Sequence, residues 1–354
     1  MEDYVKWQYE YALLSDNLSN YEKFFGLYQD IDLFAGQPST NWYDHVFGHT
    51  GKTFNQDLSI TVGTEKLKYA FGFAGLNSKE IMLGSEYKRN NFSLKLDNNP
   101  TDRIGLSFSV RYSDTKIYGA GTTDQAGGTP TDSRVKQTMV FGPIPFTAMG
   151  NYDDEEVSST MVNPLDNVRD NDRQQLRKRY NLGASFSWKI LEDLEVKTEA
   201  GLDSYINNDD RFYGITTYYV KNTPTATYQN MPALESTEGK SLSLRNTNTL
   251  NYDFNKIFQN PNHALKFLVG QELIVTQSNN MFNQVWGFPT FFVSDQAYKL
   301  VSQGFSNRYT DTYNPDNKLL SFFGRVNYDF KRKYIISATF RADGSSLFSK
   351  GNQW

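Results

Sequence analysis

The chain contains no cysteine, carries little net charge and has no long apolar run. The absence of cysteine excludes disulfide bonds, thiolate chemistry and zinc sites built on cysteine. A formal net charge of -4, without a large basic patch, argues against nucleic acid as a partner. No segment approaches the roughly 20 apolar residues that a membrane-spanning helix needs. A spanning β-strand, however, needs only about 9–11 residues, half of them polar, so a membrane location stays open.

The chain does contain many aromatic residues on a polar background. Phe, Trp and Tyr make up 15% of its 354 residues, while the mean hydropathy is -0.61. This combination fits a β-protein whose two faces differ in character. The length is sufficient for two ordinary domains or for one large all-β barrel.

The clearest local pattern lies near the carboxyl end of the chain. From Leu320 to Phe330 every second residue is apolar or small, and the residues between them are mostly polar. The charged run 331–333 interrupts the alternation, which then resumes from Tyr334 to Phe340. Period-two alternation on both sides of a short charged turn predicts a β-hairpin with one apolar face.

The same pattern occurs four more times along the chain. Its alternating segments are 58–62 with 67–73, 92–96 with 104–112, 180–190 with 194–202, and, less regularly, 242–254 with 265–275. Turn length provides a test, because paired residues of an antiparallel hairpin share a face and their numbers have a constant sum. Where the turn has an odd number of residues, the apolar positions are even-numbered on both of its sides. Across the four-residue turn 63–66 they change from even to odd numbers. The sequence therefore predicts about ten strands, paired as five hairpins.

The connections between the hairpins are much longer than those within them. They cover about 113–179, 207–241 and 276–318, whereas most turns inside hairpins have three to five residues. Short turns on one side and long loops on the other are typical of an outer-membrane β-barrel. The alternating apolar positions contain no Lys, Arg, Asp or Glu. A lipid-facing surface requires this, because a Lys or Arg at the bilayer midplane costs about 2–4 kcal/mol.

Aromatic residues lie at the ends of several predicted strands. They are Tyr112, Tyr180, Tyr252, Phe254, Tyr328 and Tyr334. Each of them alone is explained by ordinary packing in a sheet, but their collective placement favours the aromatic girdle of a membrane barrel.

Residues 1–54 differ from the rest of the chain. Tyr4 to Leu14 have the pattern of a short amphipathic helix, and an aromatic, loop-like sequence follows. The segment is either packed against other parts of a larger protein or a surface helix with a loop, and the sequence leaves both open. Residues 1–4 have neither the basic nor the apolar region of a secretion signal.

Four stretches of the chain resemble the SusC/RagA-type TonB-dependent transporters. They are 40–44 (TNWYD), 63–69 (GTEKLKY), 84–89 (GSEYKR) and the region 320–346, which includes LSFFGRVNY and FRADGSS. The stretches are spread over nearly the whole chain and follow the order of the family. The resemblance implies a large outer-membrane protein with a secretion signal, a small amino-terminal domain, a plug and a barrel of roughly 22 strands.

The resemblance also implies a function and partners. Members of the family import glycans or peptides, a SusD-like surface lipoprotein caps the barrel, and TonB pulls on the plug from the periplasm. On this basis residues 1–54 are expected to link the plug to the barrel. Residues 55–354 are expected to form the early part of the barrel, truncated at its carboxyl end. We therefore expect a fragment of a transporter of the cell outer membrane, in contact with membrane lipid.

The residues leave other functions open. A secreted or surface β-rich binding protein, such as an adhesin or a lectin-like domain, would need hairpins stacked into two sheets around a dry core. A siderophore or vitamin receptor of the wider TonB-dependent family is another alternative. A third is a complete channel built from the ten predicted strands.

Residue types that bind metals occur only in weak arrangements. His45 and His49 have the spacing of zinc ligands on a helix, but there is no HExxH pattern and no evident third ligand. Asp166, Asp170 and Asp172 form an acidic cluster without the glycine and terminal Glu of an EF-hand. A solvated loop is favoured over a calcium site there, and we predict no bound metal.

No catalytic or cofactor site is predicted either. The segment 239–241 (GKS) has the sequence of a P-loop end, but Leu234 stands where that motif has glycine, and a strand follows rather than a helix. A Ser-His-Asp order with a nucleophile elbow is absent. A basic group just before a predicted strand is interpreted as a solvated loop edge, with lipid headgroups or substrate as alternatives. It consists of Arg173, Arg177, Lys178 and Arg179.

Polar residues between the apolar positions are expected to face the lumen or the plug. Among them are Arg103, Arg111, Lys197, Glu199 and Arg325. Without the plug they would face water, so they do not identify the cargo.

Overall fold

The computed structural model describes residues 1–119, 134–143, 162–222, 224–258, 260 and 262–354. In these ranges the chain forms a single antiparallel sheet of eleven strands with small helices at its ends. The strands are β1 (Lys52–Gly63), β2 (Leu67–Lys79), β3 (Glu86–Thr101), β4 (Ile104–Tyr118), β5 (Asn171–Lys189), β6 (Leu194–Tyr213), β7 (Ala233–Asp253), β8 (His263–Trp286), β9 (Phe305–Tyr313), β10 (Asn317–Phe330) and β11 (Tyr334–Ser345). One sheet contradicts the two stacked sheets that the alternative of a secreted binding protein required.

The helices are short. They are α1 (Glu2–Leu14), α2 (Leu18–Phe25), α3 (Trp42–Phe47), α4 (Arg134–Val140), α5 (Pro164–Asp170), α6 (Tyr218–Asn222), α7 (Asn255–Phe258) and α8 (Ser294–Lys299), with 3-10 helices at Tyr28–Phe34 and Val301–Gln303. None of the helices in the described ranges is long and apolar enough to cross a membrane.

Neighbouring strands in the sheet follow one another in sequence. The exception is β9, which pairs with the upper part of β8, while β10 pairs with the lower part of β8. β9 and β10 therefore lie end to end, separated by 314–316, where Pro315 has no N–H to donate to the ladder. The register to β8 shifts by one residue at this point. The eleven strands thus occupy ten positions in the sheet, as the five predicted hairpins require.

The sheet has one continuous apolar face. Within all five hairpins most of the predicted apolar residues pair with one another, as in Leu182 with Leu202. The pairing between hairpins continues the same face, as in Tyr69 with Leu96 and Phe267 with Val326. We call this the apolar face and the other one the polar face. Apolar residues at its centre are half-exposed, because no other part of the described chain covers them.

The connections lie at two ends of the sheet. Turns such as 64–66 and 331–333 join strands at one end, which we call the turn end, and 119–170, 214–232 and 287–304 join them at the other, the loop end. These long connections are shorter than predicted, because the strands continue past the predicted apolar segments. In the added parts successive side chains still point to opposite faces, but both faces are polar. Residues 120–133 and 144–161 of the first connection lie outside the described residues. The predicted turn 98–102 is also shorter, since β3 continues to Thr101 through a register shift after Asn98.

The amino-terminal segment is more ordered than its sequence suggested. The predicted helix is present as α1, but the sequence expected as loop contains α2, a 3-10 helix and α3. α1, α2 and the 3-10 helix share a small core of Val5, Ala12, Tyr21 and Ile31. α1, α2 and the 3-10 helix pack mainly on one another. Val46 of α3 packs instead on Met82 and Val168 at the loop end.

This segment reaches the loop end of the sheet. The indole Nε1 of Trp42 donates to the carbonyl oxygen of Gly142 at 2.8 Å, and the carbonyl of Val46 accepts from the amide of Leu83 at 2.8 Å. Both partners belong to connections at the loop end. β1 then begins at Lys52, three residues before the predicted boundary, and runs toward the turn end.

Candidate functional site

A group of arginines stands out on the polar face. Arg89 lies on β3, Arg111 on β4, and Arg177 and Arg179 on β5. Odd-numbered residues of these strands share the polar face, because Ser113 pairs with both Asn91 and Arg179 and successive side chains alternate in direction. We call these four residues the arginine patch.

The patch borders two shallow cavities of about 270 and 360 Å³. The guanidinium of Arg179 lies over the ring of Tyr205, 5.3 Å from its centre, and Nη2 of Arg177 donates to Oε1 of Gln175 at 2.6 Å. Among the described residues that line the two cavities, Asp203 is the one acid, and it accepts a hydrogen bond from Asn181. The patch therefore offers three exposed guanidinium groups, those of Arg89, Arg111 and Arg179, beside the half-buried Arg177. Their planar arrangement of donors suits carboxylates and other oxyanions.

This position corrects the interpretation of residues 173–179 as a loop edge. They lie inside β5, where alternation separates them by face. Arg173 forms a half-buried bidentate pair with Asp209, at 2.8 and 2.6 Å, so its charge is already balanced. Lys178 is on the apolar side of the sheet instead, because its position alternates with those of Arg177 and Arg179. It lies on the loop-end side of Tyr180 and pairs with Asp114 of β4. The sequence missed this division because the residues follow no apolar alternation.

Most other charges on the polar face are paired. Nζ of Lys197 lies 2.8 Å from Oε1 of Glu199. Arg341 reaches Glu272 at 2.9 Å and Asp343 at 2.8 Å. Of the predicted inward residues, Arg111, Lys197, Glu199 and Arg325 stand at positions of this face. Arg103 lies in the turn between β3 and β4 instead. Its central part is thus a polar wall held by ion pairs within strands and, through Arg341 and Glu272, between them.

A second cluster lies on the polar side at the loop end, and no pattern in the sequence predicted it. The carboxylate of Glu235 accepts from the Tyr213 hydroxyl at 3.0 Å, the Tyr219 hydroxyl at 3.3 Å and Nε2 of Gln284 at 2.9 Å. Nε1 of Trp286 donates to the Tyr219 oxygen at 3.2 Å. Burial, together with the Glu235 charge, raises the pKa of Tyr219, so its hydroxyl stays protonated as a donor. The cluster fixes α6 against the ends of β7 and β8.

Replacing Glu235 by Gln is expected to loosen this end of the sheet. An amide nitrogen would then face a donor, and leaving a buried polar group unsatisfied costs about 1–3 kcal/mol. Faster limited proteolysis within 214–232 is the expected result. Glu238→Gln is the matched control, because the ion pair of Glu238 with Lys240 is more exposed and contributes less. Equal proteolysis of both variants would contradict the role of the cluster.

A buried arginine joins the other loop-end connections. Arg134 at the start of α4 donates through Nη2 to the carbonyl oxygens of Asn171 at 3.0 Å and Val168 at 3.4 Å, and through Nη1 to that of Leu83 at 3.3 Å. Burial lowers the pKa of Arg134 to about 10, which still leaves it charged at neutral pH. Arg134 thus links the connection between β2 and β3, α5 and the start of β5 through backbone groups.

The comparisons with known proteins agree with this architecture. No family model matches the chain. It is 26% identical over 327 residues to TonB-dependent receptor P3 of Formosa agariphila, covering 90% of this chain and 31% of that receptor. It is 22% identical over 332 residues to TonB-dependent receptor SusC of Bacteroides thetaiotaomicron, again covering 90% of this chain and 31% of the relative. A structure of the RagAB peptide transporter has the same fold, with a TM-score of 0.69 and 18% identity over 95% of this chain and 37% of that one.

The chain is similar to the SusC/RagA-type TonB-dependent receptors in sequence and in fold. It spans only about three tenths of the length of the curated relatives, at 31% for both. Its sheet corresponds to part of the barrel of such a receptor, and it is not closed, because β1 and β11 do not pair with one another in the described residues. The family is one of transporters rather than enzymes.

The residues considered as weak metal or phosphate sites make contacts within the protein instead. His49 Nε2 lies 3.0 Å from the backbone carbonyl oxygen of His45. The carboxylate of Asp170 accepts from Arg169 at 3.0 Å and from the Thr216 hydroxyl at 2.7 Å. The described ranges hold no group of three His, Cys, Asp or Glu that could bind a metal ion.

Two other candidates are likewise placed by the fold. Asp172 accepts from the Tyr298 hydroxyl at 3.2 Å, apart from the contacts of Asp170. The segment 239–241 lies inside β7, so its amides belong to the ladder of the sheet rather than to a phosphate loop.

Proposed function

We propose that this sheet is the early part of the barrel wall of an outer-membrane transporter that imports glycans or peptides with energy from TonB. The observation that carries the proposal is the contrast between two continuous faces: one is apolar and open across ten strand positions, and the other is charged and hydrogen-bonded. In a membrane barrel the apolar face meets lipid and the polar face lines the lumen. A SusD-like lipoprotein at the loop end and a plug in the lumen complete the proposed assembly.

The aromatic residues support an outer-membrane location. Tyr112 and Tyr180 contact one another, with ring centres 4.9 Å apart, at the loop-end border of the apolar face. Tyr252 and Phe254 contact one another at the turn end, with ring centres 4.4 Å apart. Two aromatic borders on one face are what a barrel presents at the two membrane interfaces.

Membrane fractionation tests this location. We expect the receptor that contains this chain in the outer-membrane fraction, extracted by detergent and not by salt. A product that stays soluble would overturn the proposed function.

We also propose a different place for residues 1–51 from the plug link that the sequence suggested. Their contacts with 80–85 and 134–143 lie at the loop end, and long loops are extracellular in barrels of this kind. The segment would then be part of the outer loop layer, before a strand that runs down to a periplasmic turn. Accessibility of a cysteine in place of Ser39 to an impermeant thiol reagent on intact cells tests this, since the chain has no other cysteine.

The arginine patch favours cargo that carries carboxylates. Its guanidinium groups lie on the polar face, three of them exposed and that of Arg177 half-buried, where cargo passing along the wall would meet them. The related RagAB complex is described as a peptide importer, and acidic peptides carry such groups. Uronate-containing glycans present the same chemistry, so both classes belong in the test.

A double substitution of the patch is expected to weaken uptake of acidic cargo. Arg177→Gln with Arg179→Gln removes two charged donor groups, each worth about 1.5–3 kcal/mol in a charged hydrogen bond, so affinity should fall at least about tenfold. Uptake of labelled acidic and neutral peptides, and of uronate-containing and neutral oligosaccharides, measures the effect. Lys178→Gln is the control, because this neighbouring cation lies on the other face. Equal loss in the control, or loss for neutral cargo alone, would contradict the role of the patch.

A further inference from the structure

Four lysines lie together on the apolar side of the sheet at its loop end. They are Lys52 of β1, Lys79 of β2, Lys88 of β3 and Lys116 of β4, and we call them the lysine cluster. Lys88 lies four residues from Phe92 of the apolar face, so both side chains point to the same side. The same count relates Lys116 to Tyr112. The register of β1 and β2 places the other two lysines on this side as well.

The register sets these lysines directly opposite one another. Lys52 pairs with Lys79, and Lys88 pairs with Lys116. Like charges that stand directly opposite in an antiparallel ladder repel and destabilise the pair of strands. An anion held between two such lysines offsets this cost, because each ammonium group then faces a negative charge. Two opposed pairs on neighbouring strands therefore indicate a negatively charged partner.

One acid balances part of the charge of the cluster. Nζ of Lys88 lies 2.7 Å from Oε2 of Glu86, and Nζ of Lys79 lies 3.5 Å from Oε1 of the same residue. Lys52 and Lys116 are exposed, and neither forms an ion pair with an acid of the described ranges. The cluster thus keeps an excess of positive charge after its own ion pairs are formed.

The other cations on the strands of this border are balanced or isolated. Lys178 of β5 stands directly opposite Asp114 of β4. Lys240 forms an ion pair with Glu238 within β7. Lys318 of β10 stands opposite an apolar residue of β8. In the described part of the sheet, opposed lysines on the apolar side are therefore confined to β1–β4.

The cluster lies just beyond the aromatic border of the apolar face. Four residues of a strand cover about 13 Å, which at the usual tilt of barrel strands is about 10 Å along the membrane normal. Lysine side chains can bend back over such a distance while their charges stay in the polar layer. Asn77 pairs with Lys88, and Asn90 is the next residue of β3 on this side, so amide groups lie beside the charges.

We propose that the lysine cluster binds the phosphate groups of a glycolipid in the outer leaflet of the membrane. Phosphate oxygens accept short, strong hydrogen bonds from ammonium groups, and a phosphate monoester carries roughly 1.5–2 negative charges near pH 7. The amides of Asn77 and Asn90 suit the hydroxyl groups of its sugars. The inference rests on the proposed function, since it needs the loop end outside the cell and the apolar face in the bilayer.

Binding of lipid A tests this site. The receptor that contains this chain is extracted in detergent and titrated with lipid A and with lipid A from which the phosphates have been removed. We expect at least about tenfold tighter binding of the phosphorylated form, because only that form makes charged hydrogen bonds. Inorganic phosphate and phosphatidylglycerol vesicles at matched phosphate concentration should not displace it. Equal affinities for the two forms, or displacement by either competitor, would overturn the assignment to a phosphorylated glycolipid.

A double substitution shows whether the lysines are responsible. Lys88→Gln with Lys116→Gln should lower the affinity for lipid A at least about tenfold and leave that for the dephosphorylated form unchanged. Lys68→Gln with Lys95→Gln is the matched control, because it removes the same charge from the polar face of β2 and β3. A heat-dependent gel shift checks that both variants are folded. Unchanged affinity in the first variant, or an equal loss in the control, would overturn the proposal.

The second lysine pair gives an independent variant. Lys52→Gln with Lys79→Gln changes other strands, so it tests the site even if the first variant does not fold. We expect a loss of lipid A affinity here too, and unchanged affinity would contradict the cluster. A wild-type receptor absent from the outer membrane would overturn the proposed function instead.

Discussion

Produced alone in water, the chain is expected to form insoluble aggregates rather than a folded monomer. Its apolar face has no cover in the described residues, and Val269 at its centre is 50% exposed and Phe340 of β11 is 73% exposed. β1 and β11 also present open edges, each with a row of unpaired backbone groups. Exposed edges of apolar strands pair with other chains, so both features favour aggregation.

Solubility and a detergent control measure this effect. We expect inclusion bodies on expression without detergent, and a heat-dependent gel shift for the receptor that contains this chain when it is extracted from outer membranes. The comparison tests whether aggregation of the chain in water comes from the lack of a membrane environment or from the lack of the rest of the barrel. A monodisperse, soluble monomer of the chain with one cooperative thermal transition would contradict both the lipid-facing assignment and the open edges.

A second large effect is expected from one charge placed on either face of β8. Val269 and Leu268 are neighbours near the middle of the strand, but Val269 is on the apolar face and Leu268 is on the polar face. Val269→Lys should cost about 2–4 kcal/mol, because a lysine at the bilayer midplane loses its hydration. Leu268→Lys should cost much less, since Lys189, Glu195 and Arg325 already surround this side.

Assembly in the outer membrane is the measurement for this pair. We expect Val269→Lys to reduce the amount of folded receptor strongly and Leu268→Lys to leave most of it in place. Chemical denaturation in lipid vesicles gives the corresponding free energies of unfolding. Equal effects of the two substitutions would show that the faces are not in different environments.

The local pairing of the sheet was predictable from the sequence. Side chains alternate strictly along a strand, so the alternation at 320–330 and 334–340 and the three-residue turn between them predicted the observed pairing of Tyr328 with Ile336. The same argument held for all five hairpins. Strand ends were predicted less well. Beyond the apolar segments both faces of the strands carry polar residues, so the sequence shows no alternation of hydropathy there.

The functional surfaces were less accessible to sequence reasoning. Arg177, Lys178 and Arg179 look like one basic run, and only their position inside β5 separates two of them from the third. Glu235 accepts hydrogen bonds from Tyr219 and Gln284, which lie 16 and 49 residues away in sequence. Asn248 donates to Gln271 across the connection between β7 and β8. The sequence contains each of these residues, but no spacing rule brings them together.

Residue order therefore determined the hairpins, their registers and the contrast between two faces, because these depend on period-two geometry and short turns. The tertiary structure decided how the hairpins join into one sheet, that β9 continues β10 past Pro315, and where residues 1–51 pack. It also decided which polar residues share a site. Those arrangements depend on contacts across long connections, where loop closure leaves many pairings open until backbone hydrogen bonds and packing select one.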